Sequence, residues 1–116
     1  MNVVTLIGNV ATDVEVKDLD GDRKVASFLL AVDRIAQDGG ADFFRVSTWN
    51  KQAELCGRFV RKGSKIGVEG RLRSRSWEEE GRRRTAVDVV AQRVEFLDGR
   101  GDAAGGEVVP FEAAVA

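Results

Sequence analysis

The run KGSKIGVEGRLRSRSWEEEGRRR, Lys62 to Arg84, alternates for longer than an ordinary strand. Odd positions carry Lys65, Glu69, Arg71, Arg73, Arg75 and Trp77, and even positions carry Ile66, Val68, Gly70, Leu72, Ser74 and Ser76. Successive side chains of a strand point to opposite faces. One face is therefore small and apolar, and the other is basic with an aromatic at its far end. Three more arginines, Arg82, Arg83 and Arg84, follow an acidic turn over Glu78 to Gly81. At about 3.3 Å per residue, Ser64 to Trp77 would reach roughly 40 Å, so the strand should bend. Gly67 and Gly70 are the expected places, and a bulge there would shift the alternation by one residue.

The flanking sequence reads as more strands. Residues 2–10 (NVVTLIGNV) are apolar on both sides, as in a strand covered on both faces by a barrel or a subunit contact. Asp13 to Leu19 reads as a short strand closed by the hairpin signal Asp20-Gly21. In Lys24 to Asp33, Ala26, Phe28, Leu30 and Val32 share the core face. A loop with Asp38-Gly39-Gly40 at its tip leads to Asp42–Trp49, where Phe43, Arg45, Ser47 and Trp49 share one side. Asn50 is the expected N-cap of a helix over Lys51–Arg61, with Gly63 as its C-cap. Ala53, Leu55, Cys56, Phe59 and Val60 give that helix an apolar stripe. The last strand is Arg82–Phe96. From Asp98 glycine and alanine dominate, which predicts a flexible tail over 98–116 after a folded domain over 1–97.

Composition narrows the function. In 116 residues valine outnumbers leucine 17 to 7, a bias toward strands. There is no His, no Tyr and one Cys, Cys56, which reads as a buried helix residue. That excludes thiolate–imidazole zinc sites and His-dependent triads. The acidic run Asp13, Glu15, Asp18, Asp20, Asp22 lacks the spacing of a calcium loop and reads as a solvated loop. No metal, cofactor or catalytic residue is expected. No apolar run is long enough to span a bilayer, no signal peptide is expected ahead of Val3, and a single cysteine suits a reducing cytoplasm. The net charge is −1, but nine cations face four anions over 61–84, a local balance of +5. Local potential governs contacts at physiological salt, where screening acts over about 8 Å.

Three strands, a strand with a helix, a long bent strand and a final strand suit an all-β, five-stranded Greek-key barrel of the OB type, with one short α-helix and an extended β-hairpin. Arg-x-Arg-x-Arg-x-Trp places its groups on one side about 6.5–7 Å apart. That is close to the spacing of bases in an extended single strand, and aromatics stack on any base. Phe43 and Trp49 would stack in the same way, unless both faces of their sheet are packed and they belong to the core. A protein-assembly module on the same barrel is the competing reading. A hydrolase built on paired carboxylates is a third, with no motif to support it.

NVVTLIGNV, KVASFLLAVDR, FFRVSTWNKQAE and RKGSKIGVEGRLRSRSWEEEGRRRT, in this order, resemble the bacterial single-stranded DNA-binding protein family over about residues 2–97. The resemblance implies sequence-independent binding and protection of single-stranded DNA, or RNA, in replication, recombination and repair. It also implies a homo-oligomer, a tetramer, in the cytoplasm at the nucleoid. Carried over by position, the stacking residues are Phe43, Trp49 and Trp77. The basic contacts are Arg34, Arg45, Lys51, Lys62, Arg71, Arg73, Arg75, Arg82, Arg83 and Arg84. An aromatic usual in the loop after the third strand falls here at Ile35 or Ala36. The family tail ends on Pro-Phe and recruits replication and repair proteins; here Pro110-Phe111 is followed by Glu112 to Ala116.

Overall fold

The computed structural model describes residues 1–35 and 39–97. The alternating segments form six strands and one helix: β1 (Val4–Val10), β2 (Glu15–Asp18), β3 (Lys24–Asp33), β4 (Ala41–Trp49), α1 (Asn50–Phe59), β5 (Lys65–Glu79) and β6 (Arg82–Phe96). The sheet order is β1-β5-β6-β4-β3-β2, and β1 also meets β3 through Asn9↔Ala31 and Val10↔Leu30. The ring therefore closes. β1 and β2 lie along the same edge of β3, as two halves of one bent strand. Closure depends on one parallel pairing, β4 with β6, at Val46↔Val89 and Ser47↔Val90. This is the five-stranded OB-type barrel with a short helix that the pattern predicts.

The core follows the period of two. Ala26, Phe28 and Leu30 of β3, Val46 and Thr48 of β4, Ile66 and Val68 of β5, and Val89, Ala91 and Val94 of β6 are buried. Val10 of β1, and Ala53, Leu55 and Cys56 of α1, followed by Val60, complete the cluster. Each large apolar side chain here is worth about 1.5–3 kcal/mol of burial. Burial also pushes the Cys56 thiol up to about 11. The neighbouring Thr48 side chain opposes part of that rise, although its buried Oγ1 makes no hydrogen bond of good geometry.

The long strand bends where β5 opposes β6 at Glu69/Gly70, but the extra residue sits on the partner. Glu69 pairs with Arg93 and Gly70 with Ala91, so Gln92 of β6 is the unpaired one. The alternation of β5 consequently runs unbroken through Gly70, contrary to the expected one-residue shift. Gln52 of α1 donates from Nε2 to the Gln92 carbonyl and so satisfies the backbone at the bulge. Gly70 itself is needed for close approach. A Cβ there would lie 2.1 Å from the Val90 carbonyl oxygen.

Beyond Leu72 the β5–β6 pair leaves the barrel as a hairpin. Asn2 clamps its base: Nδ2 donates to the Leu72 carbonyl at 2.9 Å, and Oδ1 accepts the Leu72 N–H at 2.8 Å. The carboxamide thus extends the β1–β5 ladder past its last pair, Val4↔Gly70. The turn is tighter than expected. Glu78 and Glu79 are paired with Arg83 and Arg82, leaving Glu80-Gly81 as a two-residue turn with φ of 54° and 78°. Two positive φ values match the twist of a hairpin, as in a type I′ turn.

Both expected helix caps fail. Asn50 adopts φ 54° at the sharp corner out of β4, and its Oδ1 accepts the Lys24 N–H at 3.3 Å instead of a helix N–H. Trp49, extended, occupies the N-cap position. At the other end Val60 N–H closes the last turn on the Cys56 carbonyl at 2.9 Å. Gly63, at φ 96°, belongs to the following turn, in which Ser64 N–H reaches the Arg61 carbonyl at 2.9 Å. The Asp20-Gly21 hairpin holds, with Leu19 N–H on the Arg23 carbonyl at 2.7 Å. Strand β1 is not covered on both faces within this chain, since Ile7 is 55% exposed on its outer side. The predicted tail, 98–116, lies outside the described residues, as does Ala36.

Candidate nucleic-acid interface

Cross-strand pairs share a face in an antiparallel ladder. Arg71, Arg73, Arg75 and Trp77 of β5 oppose Val90, Asp88, Ala86 and Arg84 of β6. Parallel pairing of β4 with β6 sets Ser47 beside Val90, which brings Phe43, Arg45 and Trp49 onto that same face. β3 adds Val25, Leu29 and Ala31 opposite Trp49, Arg45 and Phe43. The result is one continuous outer face over β3, β4, β6 and the hairpin, with two aromatics on β4, one on β5 and a row of guanidinium groups between.

Phe43 is 59% exposed, which removes its core reading, and Trp77 is 39% exposed. Trp49, at the β4–α1 corner, is half-buried. The Arg75 guanidinium lies over the Trp77 ring, 4.9 Å from its centroid. One face of that indole is covered by a cation, and a cation on an aromatic face is attractive in its own right.

The other expected residues divide. Arg82 and Arg84 alternate onto the aromatic face, whereas Arg83, opposite Glu78, falls on the reverse of the hairpin. Arg84 Nε is 3.5 Å from Glu79 Oε1. Lys51 is exposed in the first turn of α1, next to Trp49. Lys62 is exposed in the turn after α1, outside the strands that build this face. Arg34 follows β3, with Nε donating to Asp42 Oδ1 at 2.9 Å. Ile35, one of the two positions expected to match the family's loop aromatic, is fully exposed. Pro110 and Phe111 lie outside the described residues.

Asp88 is the residue of this face that sequence reasoning did not single out. It is 7% exposed, and its Oδ2 accepts from Arg75 Nε at 2.5 Å and lies 4.0 Å from Arg45 Nε. It ties β4, β5 and β6 together at the root of the hairpin. The available signal was a single carboxylate within the apolar run Ala86-Val87-Asp88-Val89-Val90-Ala91, opposite a basic strand.

A hollow of about 410 Å³ beside Arg45, lined in part by Thr12, Asp13, Glu15 and Leu29, bounds the face with negative charge. Among the described residues no three His, Cys, Asp or Glu side chains are placed to hold a metal ion. No helix among them is long and apolar enough to cross a membrane.

The chain matches the Single-strand binding protein family over residues 1–97. It is 43% identical over 103 residues to Single-stranded DNA-binding protein 3 of Clostridium acetobutylicum, covering 84% of this chain and 72% of that protein. It is 45% identical to the Single-stranded DNA-binding protein of Clostridium tetani, covering 84% and 71%. Identity is 36% over 108 residues to Single-stranded DNA-binding protein 1 of a Nostoc species, covering 91% of each chain.

Proposed function

The chain belongs to the single-strand binding protein family, and from that premise we propose that its aromatic and basic outer face binds single-stranded DNA without reading sequence. The observation that carries this is the placement of Phe43, Trp49 and Trp77 on one barrel face with Arg45, Arg71, Arg73 and Arg75 among them. Bases stack on the rings because every base has a π-face, and the guanidinium groups neutralise phosphates. A flexible single strand can follow the curved row, whereas a duplex would call for an element that enters the major groove. The function is binding, with no chemical step. RNA presents the same stacking faces and phosphates, so it is a second substrate of this reading.

Residues 1–97 form the binding domain in this reading. It protects exposed strands in replication, recombination and repair, in the cytoplasm at the nucleoid. The protein works as a homo-oligomer, a tetramer. Exposed Val3, just ahead of β1, and Ile7 on β1, with Leu97 beside Gly67, supply an apolar outer surface that a second copy would cover. A monomeric mass by light scattering would remove this part. The binding itself is tested by tryptophan fluorescence. Oligo-dT should quench it, a duplex of equal length should quench it far less, and equal quenching by both would defeat the reading.

A further inference from the structure

We propose that Asp88 sorts the arginines of this face into two kinds, holding Arg75 in the aromatic platform and leaving Arg71 and Arg73 to the phosphates. The inference rests on the single-strand reading above and deepens it.

Asp88 lies on the outer face of β6 but is only 7% exposed, with the Arg75 and Arg45 side chains beside it. A buried carboxylate keeps a cationic partner, because losing it leaves an uncompensated charge. That partner is Arg75 Nε at 2.5 Å, with Arg45 Nε more distant at 4.0 Å. The same guanidinium lies 4.9 Å above Trp77. Asp88 therefore acts through Arg75 as a positioning residue. It fixes the guanidinium plane against one side of the indole and leaves the other side for a base.

The charge consequence is separate. A phosphate that approaches Arg75 meets a compensated pair, so few condensed counterions are released there. Arg71 and Arg73 share the face and have no ion pair among the described residues. The Arg84–Glu79 pair does not behave like Asp88–Arg75, because both of its side chains are more than half exposed and salt screens them.

The test is the slope of log binding constant against log salt for oligo-dT, measured for wild type and four variants. Arg73→Ala should flatten the slope by about 0.7, the loss of one phosphate contact on a single strand. Arg75→Ala should weaken binding, and because it leaves Asp88 uncompensated beside Arg45 its slope is read only against the double variant. Asp88→Asn should steepen the wild-type slope by about 0.7, and the steepening should vanish in Asp88→Asn/Arg75→Ala. Flattening by Asp88→Asn/Arg75→Ala as large as that by Arg73→Ala would overturn the proposal, and that comparison stands even if Asp88→Asn alone fails to fold. A second readout uses the free protein. In a Trp49→Phe background, acrylamide quenching of Trp77 should rise on Asp88→Asn. Unchanged quenching in a folded variant would overturn the hold on Arg75, and this result stands whether or not wild type binds oligo-dT. Absence of wild-type binding would instead remove the single-strand reading itself.

Discussion

Gly70 of β5 lies directly against Val90 of β6, where any Cβ would stand 2.1 Å from the Val90 carbonyl oxygen and 2.9 Å from the Ala91 Cα. The contact is to backbone, which cannot swing aside as a flexible side chain can. Gly70→Ala should therefore force the two strands apart at the root of the hairpin, at a cost of about 1–3 kcal/mol in unfolding free energy. Denaturant titration measures it. A midpoint equal to wild type would mean that the bend does not need the close approach.

Phe43 and Trp77 are both exposed, so their truncation tests binding with little effect on the core. Phe43→Ala and Trp77→Ala should each weaken oligo-dT binding by about 1–3 kcal/mol. Melting temperatures should stay near wild type. Fluorescence anisotropy with labelled oligo-dT gives the affinities, and wild-type affinity in either variant would exclude that ring as a platform.

Glu80 holds φ 54° without the local hydrogen bonding that makes asparagine tolerant of that region. Glu80→Asn should stabilise the hairpin by roughly 0.5–1 kcal/mol, as relief of left-handed strain at the first turn position. Hydrogen exchange of the hairpin amides reports it. Faster exchange in the variant would contradict the turn assignment.

Cys56 gives a pH signature. Its thiol ionises near 9.0 when exposed and near 11 in the folded chain, through burial. The folded state thus keeps the proton to higher pH than the unfolded state. Stability from this group is intact below pH 9 and is lost as pH rises through 11, a fall of roughly 2–3 kcal/mol. Cys56→Ala should lack that part of the alkaline fall. Parallel pH profiles of wild type and variant would contradict the burial. Thiol reagents at neutral pH should label wild type only on unfolding.

The barrel was legible because burial imposes a period of two, which Lys24–Asp33 and Lys65–Trp77 display plainly. The aromatic row was legible for the same reason, since Arg71, Arg73, Arg75 and Trp77 are separated by two. The same rule also separates Arg83 from Arg82 and Arg84, because three consecutive residues of a strand cannot share a face. What stayed hidden depends on distant partners. Asn50 looks like a cap until its side chain meets Lys24, and Asp88 looks like a solvated acid until β4 and β5 bring Arg45 and Arg75 to it. A glycine in a strand signals either a bulge or a close approach, and only the opposite strand shows that Gln92, not Gly70, is the extra residue.

Titration of the whole chain with oligo-dT at several salt concentrations tests the aromatic and basic face most directly. Tryptophan fluorescence should fall on binding, and the binding constant should drop with rising salt, with a log–log slope near −0.7 for each phosphate neutralised. Unchanged fluorescence, or an affinity that does not vary with salt, would contradict it.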